Sequence, residues 1–500
     1  MRVILLIACL ICSSIAFAQD WSTIGGNASR NGFVETVGPT HARVLWEGTS
    51  LEATTANQTY IANGRVVTTR RQSNQYAPLV CHDLYTGELL WVRDLTGQTS
   101  QTLPIGFRQE TVYALRTDRK ADTLYALHAA TGAIKWRSSV PLRCSHASSA
   151  AFTPEGDLIV EGEEGLLVRI DHRTGQRLWA TKCDPMARGE LHPTIGGRWA
   201  YVWEWATYPN QAVSMIDLET GRKVATQVIP SRSKMIAFVQ TPITVGPDGT
   251  VYAYKQRDRL VALRNTGTAL QTLWETPILG NSAYSQMACG PDGSVYIPHN
   301  GKIVRLNSRN GHMMDSTRTL VRSAAGGISA RMAVDAMGTV FVSVAEFPTG
   351  MVYAFTPNLK QHWAHEVEGL HLSGPALSSE GLLSVAGSGQ WLIVFQSDQY
   401  IATGGQLASE RKYNLTLTPS PANSVSKLNY SLPQSQDIRI KLHDLAGKPV
   451  KTWKFNKQEA GEHEVSLEIP EIKVSAGTYI LTFETEEGET IRKRVTKQTE

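Results

Sequence analysis

LVCHDLYTGELLW, residues Leu79–Trp91, is the clearest copy of a motif that recurs along this chain. An apolar strand leads into an Asp, a Thr-Gly turn follows, and the next strand carries a Trp. Close copies are LYALHAATGAIKW at Leu124–Trp136 and LLVRIDHRTGQRLW at Leu166–Trp179. A unit that returns at a fixed spacing is the signature of a repeat architecture.

Weaker copies extend the series towards the C-terminus. They are AVSMIDLETGRKV at Ala212–Val224, RLVALRNTG at Arg259–Gly267, KIVRLNSRNG at Lys302–Gly311, MVYAFTPNLKQHW at Met351–Trp363 and WLIVFQSD at Trp391–Asp398. The turn glycines are spaced by 45, 43, 46, 46 and 44 residues; they are Gly87, Gly132, Gly175, Gly221, Gly267 and Gly311. The repeat is therefore about as long as one blade of a β-propeller.

A second turn-and-strand signal precedes most copies. It reads GPDGTVYAY at Gly246–Tyr254 and GPDGSVYI at Gly290–Ile297. Pro presets φ in such a turn and Gly takes the position with φ above zero. Each period therefore holds about four short antiparallel strands, which is the content of a propeller blade.

The invariant parts of the motif have a structural explanation. Asp83, Asp171, Asp217 and Asn307 can accept backbone N–H groups of the turn that follows them. The Trp residues, such as Trp91, would fill the space between neighbouring blades. The alternative is that these Asp and Trp residues form a functional site, but a site does not normally repeat every 45 residues.

The two ends of the repeat region predict how the ring closes. Ala42–Thr49 looks like the outer strand of a blade that has no inner strands before it. Trp391–Asp398 looks like a third strand with no partner after it. Pairing the two would remove two exposed sheet edges and give eight blades.

The repeat resembles the pyrroloquinoline-quinone-like (PQQ-like) eight-bladed β-propeller, whose blades carry this Thr-Gly-x-x-x-Trp docking motif. Trp21–Pro39 is also similar to the N-terminal segment of that family. In the quinoprotein dehydrogenases that this repeat resembles, the pocket holds a calcium-bound quinone under adjacent, disulfide-bonded cysteines and beside a catalytic Asp. This chain has no Cys-Cys pair and no evident carboxylate trio near the channel. We therefore expect no quinone, no other cofactor and no metal.

The residues after Tyr400 form a different domain. Strand patterns continue at Leu428–Leu432, Ile438–Leu445, His463–Ile469, Thr478–Thr485 and Thr490–Lys497, which predicts a small Ig-like β-sandwich. The stretches IRIKLHDLAGKPVKT and AGTYILTFETEEG, with the basic end Arg492–Arg494, resemble the C-terminal sorting domain of the type IX secretion system of Bacteroidetes. The alternative is a generic Ig-like binding module.

The N-terminus predicts export. Met1–Ala18 has one positive charge, an apolar run and small residues before Gln19, as a signal peptide does. The expected organisation is a signal peptide at 1–18, an all-β propeller at 19–402, a linker at 403–412 and the sorting domain at 413–500. The resemblance implies passage through the periplasm to the cell surface or medium, with the type IX machinery as a partner.

Charge and composition narrow the function classes. With 49 Lys and Arg against 45 Asp and Glu, the net charge of +4 gives no electrostatic case for nucleic acid. The mature chain has no apolar run that predicts a membrane span. We expect a monomeric, non-enzymatic binding or scaffold module for an unidentified protein or glycan. The alternative is a secreted enzyme, either quinone-dependent or acting on polysaccharide.

Two sets of residues are candidates for ligand contacts. Segments that lead into the inner strands should line the axial funnel, and their polar residues are His146, Arg188, His192, Gln240, Gln286, Arg331 and His371. Trp199, Tyr201, Trp203 and Trp205 alternate along one strand, so their rings share a face. That face is either inter-blade core or an aromatic platform for sugar or peptide.

The cysteines of the mature chain predict little chemistry. Cys81 and Cys289 lie in apolar strand patterns, which indicates buried thiols. Cys144 and Cys183 each follow a candidate outer strand. They are either bridged or two free, buried thiols.

Overall fold

The computed structural model describes residues 20–48, 59–69, 78–95, 102–117, 122–143, 149–184, 191–207, 210–231, 241–255, 258–280, 285–320, 329–346, 349–370, 374–386, 392–397, 413, 415–418, 425–443, 449–468, 477–486 and 490–497. The chain divides into two compact units, Met1–Asp398 and Gln399–Glu500. Within the described residues the regular elements are strands, apart from a short 3₁₀ turn at Glu163–Gly165. The predicted signal peptide, Met1–Ala18, and the predicted linker lie outside the described residues.

The first unit contains eight four-stranded antiparallel sheets, which we call blades 1 to 8. Seven blades follow chain order from the inner to the outer strand. Blade 1 contains β2(Tyr60–Ala62), β3(Arg65–Thr69), β4(Leu79–Asp83) and β5(Leu89–Arg93), and blade 2 contains β6(Thr102–Arg108), β7(Thr111–Arg116), β8(Thr123–His128) and β9(Ile134–Arg137). Blade 3 contains β10(Ala151–Phe152), β11(Leu158–Glu161), β12(Leu166–Ile170) and β13(Arg177–Lys182). Blade 4 contains β14(Thr194–Gly196), β15(Trp199–Trp205), β16(Gln211–Asp217) and β17(Lys223–Ile229).

Blades 5 to 7 continue the same order. Blade 5 contains β18(Thr244–Val245), β19(Val251–Lys255), β20(Arg259–Asn265) and β21(Leu270–Pro277). Blade 6 contains β22(Ala288–Cys289), β23(Val295–His299), β24(Lys302–Leu306) and β25(Met313–Ser316). Blade 7 contains β26(Ala330–Val334), β27(Val340–Val344), β28(Thr349–Phe355) and β29(Gln361–Glu368). The inner strands of these blades are short and fully buried, because they surround the axis of the ring.

Blade 8 closes the ring as the sequence predicted. It consists of β30(Ala376–Leu377), β31(Leu383–Ala386), β32(Leu392–Phe395) and, as its outer strand, β1(Val44–Gly48) from the N-terminal end. β1 runs antiparallel to β32, with Trp46 opposite Val394 and Gly48 opposite Leu392. The splice leaves neither strand as a free edge.

The Trp of each motif docks onto the next blade. A Cβ atom added to Gly132 would lie 2.8 Å from the ring of Trp91, whose indole N–H donates to the carbonyl of Ala129 over 2.7 Å. Trp46, Trp136, Trp179 and Trp274 lie against Gly87, Gly175, Gly221 and Gly311 in the same way. The Asp of the motif holds the turn, since Asp83 Oδ1 accepts the N–H groups of Tyr85 and Thr86.

Among the described residues three junctions lack this pair. Between blades 7 and 8 the indole N–H of Trp363 donates instead to the carbonyl of Pro39 over 3.0 Å. The other two junctions exchange the volumes of the pair, so that a small residue lies opposite a large one. Blade 6 has Asp315 where the Trp should stand, and blade 7 has Leu359, with φ of 59°, where the Gly should stand. Blade 4 has Ala225 at the Trp position, and Leu270 of blade 5 is buried in the core between the two blades. A small residue opposite a large one keeps the interior filled, whichever blade supplies the large one.

Residues 20–39 run around the ends of the inner strands. Their backbone carbonyls accept N–H groups from successive blades: Trp21 from Ile61, Ser22 from Phe107, Ala28 from Ile195, Ser29 from Val245, Asn31 from Cys289 and Gly32 from Val334. Asp20 reaches blade 8 through the N–H and hydroxyl of Ser379. This segment therefore covers the axis on the side of the turns between first and second strands.

The second unit is a sandwich of two antiparallel sheets. One sheet is β33(Thr416–Thr418), β34(Val425–Leu432), β37(Gly461–Glu468), and the other is β36(Pro449–Gln458), β35(Gln436–His443), β38(Gly477–Thr485), β39(Thr490–Lys497). Leu428 and Leu467 of the first sheet share a buried cluster with Ile440 and Phe483 of the second. The alternating burial along β35 is what a strand with one core face requires. In neither unit do the described residues include a helix long and apolar enough to cross a membrane.

Candidate functional site

The predicted funnel ring is only partly described. His146, Arg188, Gln240 and His371 lie outside the described residues. His192, Gln286 and Arg331 are each buried, with exposed fractions of 4%, 6% and 4%. They lie at or just before the inner strands of blades 4, 6 and 7. Their contribution to a ligand site remains a proposal.

The structure groups two of these residues with two that the sequence did not single out. Tyr60 interacts electrostatically with Arg30 and Arg331, and Arg30 with His192. Arg30 also ties segment 20–39 to the inner strands. Its Nε donates to the carbonyl of Pro193 over 2.9 Å and its Nη2 to that of Ser149 over 3.0 Å. We call Arg30, Tyr60, His192 and Arg331 the axial cluster.

Burial controls the protonation of the axial cluster. It lowers the pKa of Arg30 and of Arg331 to about 10 and raises the pKa of Tyr60 to about 12. The pKa of His192 falls to about 3, first through burial and then through the charge of Arg30. At neutral pH both guanidinium groups are therefore charged, while the phenol and the imidazole are neutral.

A cavity of about 830 Å³ lies on the same side of the propeller as segment 20–39. We call it the blade 5 pocket, because the turns of blade 5 form its centre. Its wall includes Ser29 and Asn31 of the segment, Trp199 and Tyr201 of blade 4, Val245, Gly246, Pro247, Asp248, Gly249, Thr250, Arg264, Asn265, Gly267 and Leu273 of blade 5, and Ser308 and Arg309 of blade 6. The volume suits a ligand of two or three sugar or amino-acid residues.

The four aromatic residues of β15 divide between core and pocket. Trp203 is fully buried and its indole N–H donates to the carbonyl of Thr241 over 3.1 Å. Tyr201 is also buried but lines the blade 5 pocket, and half-buried Trp199 lines it as well. Trp205, at the other end of the strand, does not line this pocket. Of the four aromatic residues, Trp199 and Tyr201 are thus the two that line this pocket.

An extended hairpin makes one wall of the pocket. In blade 3 the paired residues Arg169 and Trp179 are ten positions apart, whereas Ala262 and Trp274 of blade 5 are twelve apart. The two extra residues lengthen the β20–β21 hairpin, whose strands stay paired as far as Asn265 and Leu270. Asn265 donates from Nδ2 to the Tyr201 hydroxyl over 2.6 Å. Sequence analysis counted Gly267 among the turn glycines of the repeat, but the structure shows open space beside it where the other turn glycines meet a Trp ring. The unequal Gly-to-Trp spacing was the signal that could have revealed this.

A second cavity, of about 860 Å³, contains two carboxyl groups. Asp20 accepts hydrogen bonds from the N–H of Ser379 over 3.0 Å and from the N–H of Asn63 over 2.9 Å. Burial, and then the charge of Asp20, raise the pKa of Glu380. Two carboxyl groups in different environments are the basic requirement for acid–base chemistry on glycosides.

Metal and thiol chemistry find less support. Across the described residues no group of three or more His, Cys, Asp or Glu side chains could hold a metal ion. Cys81, Cys183 and Cys289 are free and buried, and burial raises the pKa of each thiol to about 12. Such thiols are poor nucleophiles at neutral pH. Cys144 lies outside the described residues.

Comparison with protein families gives two matches. Residues 30–194 and 109–317 match the model described as outer membrane protein assembly factor BamB, and together they span more than half of the chain. Residues 416–497 match the secretion system C-terminal sorting domain. No curated protein sequence matches this chain.

Two solved structures are similar to this chain, and the first of them has the same fold. The crystal structure of BamB from Moraxella catarrhalis matches with a TM-score of 0.51 and 16% identity, over 71% of this chain and 100% of that one. The Dos1 propeller matches with a TM-score of 0.47 and 11% identity, over 70% of this chain and 94% of that one. Identities this low carry information about fold alone.

Proposed function

We propose that this chain, which belongs to the BamB-like family of PQQ-like repeat propellers, is a non-enzymatic binding protein that works outside the cell. Its type IX sorting domain marks it as a secreted or cell-surface protein. The observation that supports binding best is the blade 5 pocket, in which Trp199 and Tyr201 stand beside polar turns. An aromatic wall with a polar rim is the usual composition of a site for a small polar ligand.

Features of the axial cluster favour a structural role for it. Arg30 spends three of its N–H donors on backbone carbonyls of Pro193, Ile24 and Ser149. The bonds to Ser149 and Pro193 join segment 20–39 to the residues that lead into blades 3 and 4. A guanidinium that is used in this way locks the segment in place and has few donors left for a ligand.

The route of export is also part of the proposal. The signal peptide would take the chain into the periplasm, and the sorting domain would then take it through the outer membrane. The second unit supports a separate role in export, because its buried cluster is formed by side chains from both of its own sheets. A unit with its own core can be read by a secretion apparatus as a separate signal.

Binding is tested with the mature full-length chain on a glycan array and in pull-down from culture medium. Trp199→Ala removes the half-buried ring of the pocket and should abolish capture of the ligand. Trp205→Ala is the matched control, since Trp205 is half-buried on the same strand but outside the pocket. The proposal fails if the two variants lose capture equally, or if no ligand depends on Trp199.

The second cavity favours one alternative, a secreted enzyme that acts on polysaccharide. Glu380, whose pKa burial and then the charge of Asp20 raise, would then serve as the general acid, with Asp20 as the second carboxyl group. Release of reducing ends from a polysaccharide panel, lost in Glu380→Gln, would establish this activity. Absence of release from every member of the panel leaves the binding function in place.

A further inference from the structure

The blade 5 pocket has an aromatic residue that the equivalent positions of other blades lack. The second strand of blades 2, 4, 5, 6 and 7 carries an aromatic residue that is Tyr201 in blade 4. The position two residues before it is a small hydroxyl residue in the other four blades; these residues are Thr111, Thr250, Ser294 and Thr339. Blade 4 carries Trp199 at this place. A large, half-exposed indole in place of a hydroxyl needs an explanation other than the repeat pattern.

The indole ring is held from outside the pocket. The guanidinium of Arg198 lies 5.0 Å from the centre of the Trp199 ring, and its Nε donates to Asp217 Oδ2 over 3.1 Å. Arg198 does not line the pocket. A ring that is already held by a neighbouring side chain loses little conformational entropy when a flat ligand packs against its accessible surface.

Polar groups of the pocket match the hydroxyl groups of a sugar. The Tyr201 hydroxyl accepts a hydrogen bond from Asn265, which leaves its own proton for a ligand acceptor. Burial raises the pKa of Tyr201, so that proton is retained at neutral pH. Ser308 adds a further small polar residue to the wall.

The charge of the pocket favours an anion. Arg264 and Arg309 both line it and both are exposed. In the part of the chain that the structure describes, neither forms an ion pair. The acidic residue of the wall, Asp248, is bonded to the N–H of Thr250 over 3.0 Å and to its hydroxyl over 2.9 Å. Two guanidinium groups against one carboxylate leave the pocket net positive.

We infer that the blade 5 pocket binds an acidic saccharide of two or three residues, with one sugar ring on Trp199 and a carboxylate of the saccharide on Arg264 and Arg309. This inference rests on the proposed binding function and adds the ligand class. Arg recognises carboxylates through paired N–H donors, so the two arginines supply both charge and direction. The Trp ring supplies apolar contact with the C–H face of the sugar, which needs no charge.

The test uses titration calorimetry of the mature full-length chain with trigalacturonic acid and with neutral trigalactose. The acid should bind about tenfold or more tightly than the neutral sugar, and added salt should narrow that difference. Arg264→Gln combined with Arg309→Gln should bring the two sugars to about equal affinity. Arg173→Gln is the matched control, because Arg173 holds in the turn of blade 3 the place that Arg309 holds in blade 6.

The outcomes separate this inference from the proposed function. Equal binding of both sugars, each lost in Trp199→Ala, would overturn the acidic ligand and leave the binding function standing. If neither sugar binds but another ligand on the array is captured in a Trp199-dependent manner, the acidic saccharide is again ruled out and the binding function stands. If nothing binds in a Trp199-dependent manner, both proposals fail.

Discussion

Gly132→Ala tests the docking of one blade on the next. Gly132 has φ of 66°, and an added Cβ would lie 2.8 Å from two atoms of the Trp91 ring. The left-handed backbone costs about 1–2 kcal/mol for a residue with a Cβ. Forcing the ring away from its site costs about 1–3 kcal/mol more. The free energy of unfolding should therefore fall by about 2–5 kcal/mol.

Gly249→Ala is the matched control for this experiment. Gly249 has φ of 80°, but an added Cβ would meet nothing within 4 Å. It should show the backbone cost alone, about 1–2 kcal/mol. Urea unfolding of the full-length chain, followed by near-ultraviolet circular dichroism, gives both values. In a Trp91→Ala background the extra penalty at Gly132 should disappear, since the ring that it displaces is gone. Equal losses for the two glycine variants would refute the docking account.

Three further predictions concern other parts of the molecule. Leu359→Gly should lower the free energy of unfolding by about 2 kcal/mol or more, because the packing lost with the leucine exceeds the relief of its left-handed backbone. Adding Asp315→Trp should recover much of that loss, as measured by urea unfolding. If the effects of the two substitutions simply add, the exchange of volumes is contradicted. The folded-state pKa of His192 is about 3, against about 6.5 in an unfolded chain, so protonation of the unfolded state should cost about 2 kcal/mol of stability between pH 7.5 and pH 5. His192→Gln should remove this part of the pH dependence, and an unchanged slope would argue against it. Deleting Tyr413–Glu500 should leave a folded propeller in the periplasm, as judged by fractionation and melting; a truncated protein that still reaches the surface would disprove the sorting role.

The blades were predictable because they depend on local patterns that repeat. The Thr-Gly turn, the Trp four residues later and the two incomplete ends at Ala42–Thr49 and Trp391–Asp398 were enough to predict eight blades and their closure. Both predictions are confirmed. The exchange of volumes between Leu359 and Asp315 was not predictable, because only packing across a junction shows that the two residues replace one pair.

The candidate site was less accessible to sequence reasoning. Alternation along β15 correctly placed four aromatic residues on one face, but it gave no way to separate buried Trp203 from half-buried Trp199. That distinction follows from position along the strand: Trp203 lies inside β15 with its indole N–H on the carbonyl of Thr241, whereas Trp199 is the first residue of β15 and lines the blade 5 pocket. The assembly of a pocket from three blades depends on how the blades are arranged in space.

The course of segment 20–39 was also hidden from the sequence. A resemblance identified Trp21–Pro39 as part of the family pattern, but not its path. Many of its contacts with the inner strands are backbone hydrogen bonds, which do not depend on side-chain identity. Arg30 is one residue whose side chain fixes that path, and an isolated arginine carries no such signal in a sequence.

The most direct test of this account compares the dissociation constants of Trp199→Ala and Trp205→Ala for the saccharide that the unmodified protein binds best. The account predicts an affinity loss of about tenfold or more for Trp199→Ala and an unchanged dissociation constant for Trp205→Ala, because Trp199 lines the blade 5 pocket and Trp205 does not. Both variants should unfold cooperatively in urea, which shows that each is folded. Unchanged affinity in Trp199→Ala would show that this protein does not bind its ligand in this pocket.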